Sequence, residues 1–158
     1  MPEINLTTSI KAPINICFDL SRSIDLHLLS TAKTGEKAIA GRTSGLINLN
    51  ETVTWRAKHF GIWQELTSVI TALDRPFYFE DQMVKGAFKS FRHAHYFSVS
   101  GEETIIKDLF TFATPLGGLG HLANFLFLTR YMRRLLEERN VVIKAFAESG
   151  KWQEILPK

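Results

Sequence analysis

The stretch LGHLANFLFLTRYMRRLLEERNVVIKAFAE, residues 119–148, decides the fold. Placed on a helical wheel at about 100° per residue, Leu128, Met132, Leu135, Val142, Ile143 and Phe146 fall on one apolar stripe, so the segment reads as a single long amphipathic helix. Arg139 lies in the middle of that stripe. A guanidinium on a core-facing side is costly unless paired, so it either reaches water past a rim or meets an acid inside a cavity. The polar side carries Arg130, Arg133, Arg134 and Lys144 with Glu137 and Glu148, and reads as a solvated face with Arg133–Glu137 and Lys144–Glu148 pairs at i,i+4.

The residues before this helix alternate rather than turn. Ile4, Leu6, Thr8 and Ile10 make Glu3–Ile10 a half-buried strand. Pro13 then opens a short helix at a favourable first-turn position. A break near residues 21–23 separates it from a second helix, for which Ser23 is the N-cap. Strand-like segments follow at 30–40, 51–58, 62–73, 77–84, 88–100 and 104–113, divided by turn residues such as Gly41, Gly45, Gly61, Pro76 and Gly101. A run of strands closed by one helix predicts an α+β architecture with an antiparallel sheet. No segment between residues 30 and 113 offers the crossover helix a parallel sheet needs.

The chain of 158 residues, 45% hydrophobic and 22% charged, fits one domain spanning 1–158 with a single sizeable core. The net charge of +3 is spread along the chain without a tight basic run, which argues against a nucleic-acid partner. Cys17 is the only cysteine, so no intrachain disulfide forms. With no leader pattern in the first ten residues, a reducing cytoplasmic setting is expected. The most apolar run, 119–128, is too short to span a bilayer.

Alternation also predicts which side chains face the helix: Phe77, Phe79, Asp81 and Met83; Phe91, His93, His95, Phe97 and Val99; Ile106, Asp108, Phe110 and Phe112. Each set carries a polar intruder, and Asp81, His93, His95 and Asp108 would share one space with Arg139. They read either as a structural network satisfying itself or as the polar end of an apolar pocket. Trp55 shares a strand face with Val53 and is a candidate cavity wall, with Met132 and Leu135 facing it from the helix. His93-x-His95 has the spacing of two metal ligands on one strand face, to which Asp81 or Asp108 could add a third. That spacing recurs by chance, and with no Cys cluster and no HExxH motif neither a metal nor a cofactor is expected. No GxSxG elbow or phosphate loop is present. Leu122, Phe125, Leu126 and Phe127 leave the start of the helix apolar all round. They need cover from the fold, from a second copy as a homodimer, or from transient membrane contact.

The block Val53-Thr54-Trp55-Arg56-Ala57-Lys58-His59-Phe60-Gly61, with Asp81-Gln82-Met83, His93-Ala94-His95-Tyr96-Phe97, Asp108, Pro115-Leu116-Gly117, Tyr131-Met132-Arg133-Arg134-Leu135-Leu136 and Arg139-Asn140, resembles the START-like (SRPBCC) superfamily. That superfamily includes polyketide cyclases, plant pollen-allergen-type carriers and lipid-transfer domains. The pattern is similar to a bacterial subgroup of ligand-binding or cyclase-like proteins. The resemblance implies a helix-grip fold, in which a seven-stranded antiparallel sheet wraps a long C-terminal helix, two short helices follow the first strand, and a cavity lies between. It also implies a gate beside the cavity mouth at Pro115-Leu116-Gly117-Gly118-Leu119-Gly120. The superfamily shares no catalytic set, so function must come from the site. The expected function is binding or transport of a small, mainly hydrophobic molecule (a lipid, polyketide or aromatic compound), with no reaction required. Its candidate contacts are Arg139, His95, His93, Asp108, Asp81, Trp55, Phe97, Phe110, Met132 and Leu135. The alternative is a cyclase, dehydratase or isomerase-like enzyme on a polyketide or steroid-like substrate, with His95 or Asp108 as base and Arg139 stabilising an enolate.

Overall fold

A computed structural model describes residues 1–114 and 120–158, with the backbone alone between 120 and 125. Strand β1 (Glu3–Ile10) leads into α1 (Ile14–Ser21) and α2 (Ile24–Ser30). Then come β2 (Lys37–Gly41), β3 (Thr52–His59), β4 (Ile62–Asp74), β5 (Tyr78–Lys85), β6 (Ser90–Ser100) and β7 (Glu103–Ala113). The long helix α3 (Gly120–Ser149) and a last turn, α4 (Trp152–Ile155), close the chain. The strands form one antiparallel sheet in the order β1-β7-β6-β5-β4-β3-β2. Neighbours in sequence pair as hairpins, except that β1 closes on β7, with Leu6 opposite Asp108. This is the α+β helix-grip architecture: the sheet curls round α3, and α1 and α2 fill one end.

Local chemistry explains the helix starts. The Ser23 hydroxyl accepts the Leu26 N–H at 3.2 Å and caps α2. Pro13 stands one residue before α1, where its carbonyl accepts the amides of Ile16 and Cys17. The strand expected over 30–40 is corrected: α2 runs to Ser30, a 3-10 turn occupies Ala32–Thr34, and only Lys37–Gly41 is strand. Thr31 Oγ1 donates to the His27 carbonyl and Thr34 Oγ1 to that of Thr31, both at 2.9 Å. These short-range bonds offer the backbone an alternative that outcompetes the β propensity of threonine. Gly35, at φ +63, then releases the chain into β2.

The inward alternation holds over the centre of the sheet and fails at its ends. Phe79, Phe91, His93, His95, Phe97, Ile106, Asp108, Phe110 and Phe112 are buried, whereas Phe77 and Val99 are exposed. Phe77 precedes β5, and Val99 lies at the far end of β6.

The interior is divided into two apolar clusters. One gathers Phe18, Phe79, Phe97, Ile106, Ile143 and Ala147; the other gathers Ile4, Phe91, Phe110, Phe112 and Leu136. The four elements that place buried residues in both clusters carry polar residues in between: Thr8 on β1, His93 and His95 on β6, Asp108 on β7, Arg139 and Asn140 on α3. A polar belt thus spans sheet and helix at one level.

Candidate functional site

Asp108 is the centre of the belt, with a side chain only 1% exposed. Its Oδ1 lies 3.0 Å from His93 Nε2 and 2.9 Å from His95 Nδ1, the latter off the hydrogen-bond direction. Its Oδ2 accepts from Asn140 Nδ2 at 2.7 Å, and Asn140 also donates to Thr8 Oγ1 at 3.1 Å. The Arg139 guanidinium approaches Asp108 Oδ1 only to 3.7 Å. Its better partners are the Ser21 carbonyl at the end of α1 (2.9 Å) and Asn140 Oδ1 (3.1 Å). The costly cation of the helix stripe is therefore met by a helix C-terminal carbonyl as much as by an acid.

His95 Nε2 turns the other way, 3.1 Å from Asp81 Oδ1 on the neighbouring strand. Its ring stacks on Phe79 at 4.0 Å and lies 3.7 Å from the ring of His93. Both carboxylates feel opposed influences. Burial pushes the Asp108 carboxyl upward, but the hydrogen bond from His93 and the adjoining His95 hold it well below the ordinary range. Asp81 is likewise lowered, its burial outweighed by His95, His93 and Arg139. Burial, with the neighbouring His95, pushes His93 down to about 4 against the pull of Asp108, so its imidazole is neutral at neutral pH. A carboxylate only accepts, so His93 Nε2 carries the proton in its bond to Asp108.

The belt forms one end of a cavity of about 520 Å³ between sheet and helix. Asp81, His93, His95 and Arg139 lie at this polar end, and Trp55, Phe110, Met132 and Leu135 are on its walls. Two candidate residues lie elsewhere: Asp108 is sealed behind the histidines, and Phe97 turns into the core against Phe18 and Phe79, at ring distances of 5.0 and 5.9 Å.

Other lining groups escaped the sequence reading. His27 stacks on Trp55 at 4.1 Å and pairs with Glu36 at 3.0 Å. Near the β3–β4 turn, His59 Nδ1 meets the Tyr131 hydroxyl of α3 at 2.6 Å, and Phe60 packs on Tyr131 and Phe127 at 4.7 and 5.3 Å. Burial lowers the His59 pKa and raises that of Tyr131, keeping both neutral. The only sequence signal for this contact was a histidine and an aromatic residue at a hairpin tip; the partner lies 72 residues away.

A ligand atom from each of Asp81, His93 and His95 falls within 4.8 Å of the other two, so these three could hold a metal ion. Leu126 and Phe127 are exposed, whereas the side chains of Leu122 and Phe125 and the expected gate at residues 115–119 lie outside the described residues. Among the described residues, no helix is long and apolar enough to cross a membrane.

No family model and no curated protein matches the sequence. Solved structures do match. TTHA0849 from Thermus thermophilus is 16% identical over 93% of this chain and 100% of its own, with a TM-score of 0.72. Ara h 8.0201 is 13% identical over 92% and 97%, with a TM-score of 0.66. The ginseng major latex-like protein 151 from Panax ginseng is 16% identical over 87% and 97%, with a TM-score of 0.55. At these identities the likeness is one of fold: a seven-stranded antiparallel sheet gripping a long C-terminal helix.

Proposed function

We propose that this protein binds a small, mainly hydrophobic molecule inside the cavity between sheet and helix, with the polar end of the ligand at the Asp81–His93–His95 face. The observation that carries this reading is the cavity itself. Its volume of about 520 Å³ is within the range of small-molecule sites, and its aromatic and aliphatic walls converge on a few polar groups. The START-like resemblance of the sequence, a superfamily that includes carriers and lipid-transfer domains, supports the same reading.

Recognition at the polar end falls to Asp81 and the histidines rather than to Arg139, whose guanidinium is already engaged by Ser21 and Asn140. The enzymatic alternative drawn with Asp108 as base is disfavoured for a similar reason: a base must reach its proton directly or through one water, and Asp108 is shut behind the imidazoles.

Trp55 provides the test. In a variant keeping only this tryptophan (Trp63→Phe, Trp152→Phe), titration with the apolar fluorophore N-phenyl-1-naphthylamine should quench its emission saturably with one site per chain. Emission that stays constant, or falls linearly without saturation, contradicts a cavity open to apolar molecules.

A further inference from the structure

We propose that Asp81, His93 and His95 form a binding site for one divalent transition-metal ion of the zinc type, opening into the cavity. His-x-His spacing alone is a weak sign. The added information is the cross-strand geometry, in which Asp81 of β5 is registered directly opposite His93 of β6. His93 and His95, two residues apart, share the inward face of one strand, and their rings lie 3.7 Å apart. The three ligand atoms fall within 4.8 Å of one another. One edge is already the length two ligands of a common ion span: His95 Nε2 and Asp81 Oδ1 are 3.1 Å apart.

The second, independent observation is what stands behind the imidazoles. A metal-bound histidine almost always turns its other ring nitrogen to a carboxylate or carbonyl, which fixes its tautomer and orientation. Asp108 Oδ1 does this for His93, bonding Nε2 at 3.0 Å, and lies 2.9 Å from His95 Nδ1, close to that ring's second nitrogen though off its hydrogen-bond direction. His93 Nδ1 and His95 Nε2 are the nitrogens not turned to Asp108. The carboxylate is itself fixed by Asn140 on its other oxygen. His95 Nδ1, buried without a well-directed partner, gains a function in this arrangement: with Nε2 on the ion, Nδ1 carries the proton facing Asp108. The charge agrees, since two carboxylates, Asp81 paired with His95 and Asp108 3.7 Å from the Arg139 guanidinium, share this space with that single permanent cation. Two imidazoles and one carboxylate suit zinc, cobalt or ferrous ions rather than calcium or magnesium, and three protein ligands leave coordination positions open toward the cavity. A ligand carbonyl, carboxylate or hydroxyl would bind there. The ion's site does not depend on such a ligand being present.

The test is a titration of the chelator-treated, full-length protein with Co(II), followed by displacement with Zn(II). One equivalent of Co(II) should give visible d–d bands of a low-coordinate site, and one equivalent of Zn(II) should abolish them. Asp108→Asn should weaken Co(II) binding by about 10–100-fold through the outer carboxylate, and Asp81→Asn and His95→Gln by more. Asp81 is at the cavity surface, so Asp81→Asn should keep the circular dichroism of the parent, and its binding defect cannot then be assigned to unfolding. Absence of saturable Co(II) binding, or binding that survives both Asp81→Asn and His95→Gln, overturns the proposal. Apolar-ligand binding by the metal-free protein would leave the cavity reading standing in either case.

Discussion

Arg139 is held inside the protein by a carbonyl, an amide and a carboxylate at the limit of contact. Removing it takes a positive charge from beside Asp108, whose side chain is only 1% exposed, and leaves the Ser21 carbonyl and Asn140 Oδ1 without this donor. Arg139→Met should therefore lower unfolding stability by about 3–5 kcal/mol in urea denaturation, and a change below about 1 kcal/mol would show that the charge is dispensable. His93 gives a signed pH dependence. Its folded pKa of about 4 lies below the ordinary 6.5, so in that interval the unfolded chain binds the additional proton. Stability is then full above about 6.5 and falls as pH drops toward about 4, by on the order of a few kcal/mol. Chelator-treated protein followed by denaturation across this window should show that slope, and His93→Gln should flatten it; parallel curves for the two proteins would contradict the assignment. At this scale the sequence was informative in kind. It brought Asp81, His93, His95, Asp108 and Arg139 to one level, because period two and period 3.6 fix which side a residue faces. It did not show that Asp108 lies behind the histidines or that Ser21 takes the guanidinium, since both depend on distances between elements.

The β3–β4 hairpin and α3 meet at the cavity rim through His59, Phe60, Tyr131 and Phe127. Phe60 adopts φ +53, a conformation a bulky side chain rarely takes, and so presents its ring to the helix. A ligand entering between this hairpin and α3 would have to part this contact. Tyr131→Phe removes one hydrogen bond, worth about 1 kcal/mol, and should speed exchange of a bound fluorophore in stopped-flow displacement by roughly 3–10-fold. Unchanged exchange would place the entrance elsewhere. The end of the chain behaves differently from its polar composition: Trp152 and Ile155 of α4, with Leu156, pack against the larger apolar cluster. Four residues of helix give no periodicity to read, so a short amphipathic cap was indistinguishable from a tail. Long elements were legible for the converse reason. The 30-residue α3 and the 11-residue β6 repeat their pattern often enough to fix type and face, whereas Lys37–Gly41 does not.

Across the whole molecule, the polar belt separates the two apolar clusters while one end of it meets the cavity. A continuous core would require hydrophobic residues where Thr8, His93, His95, Asp108, Arg139 and Asn140 stand. Mutual bonds satisfy most of the belt, His95 Nδ1 excepted, and Asp81, with 20% of its side chain exposed, is where the belt meets open volume. Fold class and a seven-stranded antiparallel sheet follow from pattern and resemblance, but cavity volume does not. It is the difference between the space the curled sheet encloses and the side chains that fill it; here Phe97 turns into the core while Phe91 and Phe110 remain on the wall.

The central claim, that this interior carries a small apolar molecule, is tested most directly by native mass spectrometry of freshly purified protein, with solvent extraction of whatever it retains. The account predicts a reproducible mass increment of one small molecule per chain that disappears on denaturation, and an extract dominated by one mainly hydrophobic compound bearing a single polar group. A mass equal to that of the bare chain, unchanged after incubation with lipid, polyketide and aromatic extracts, would contradict it.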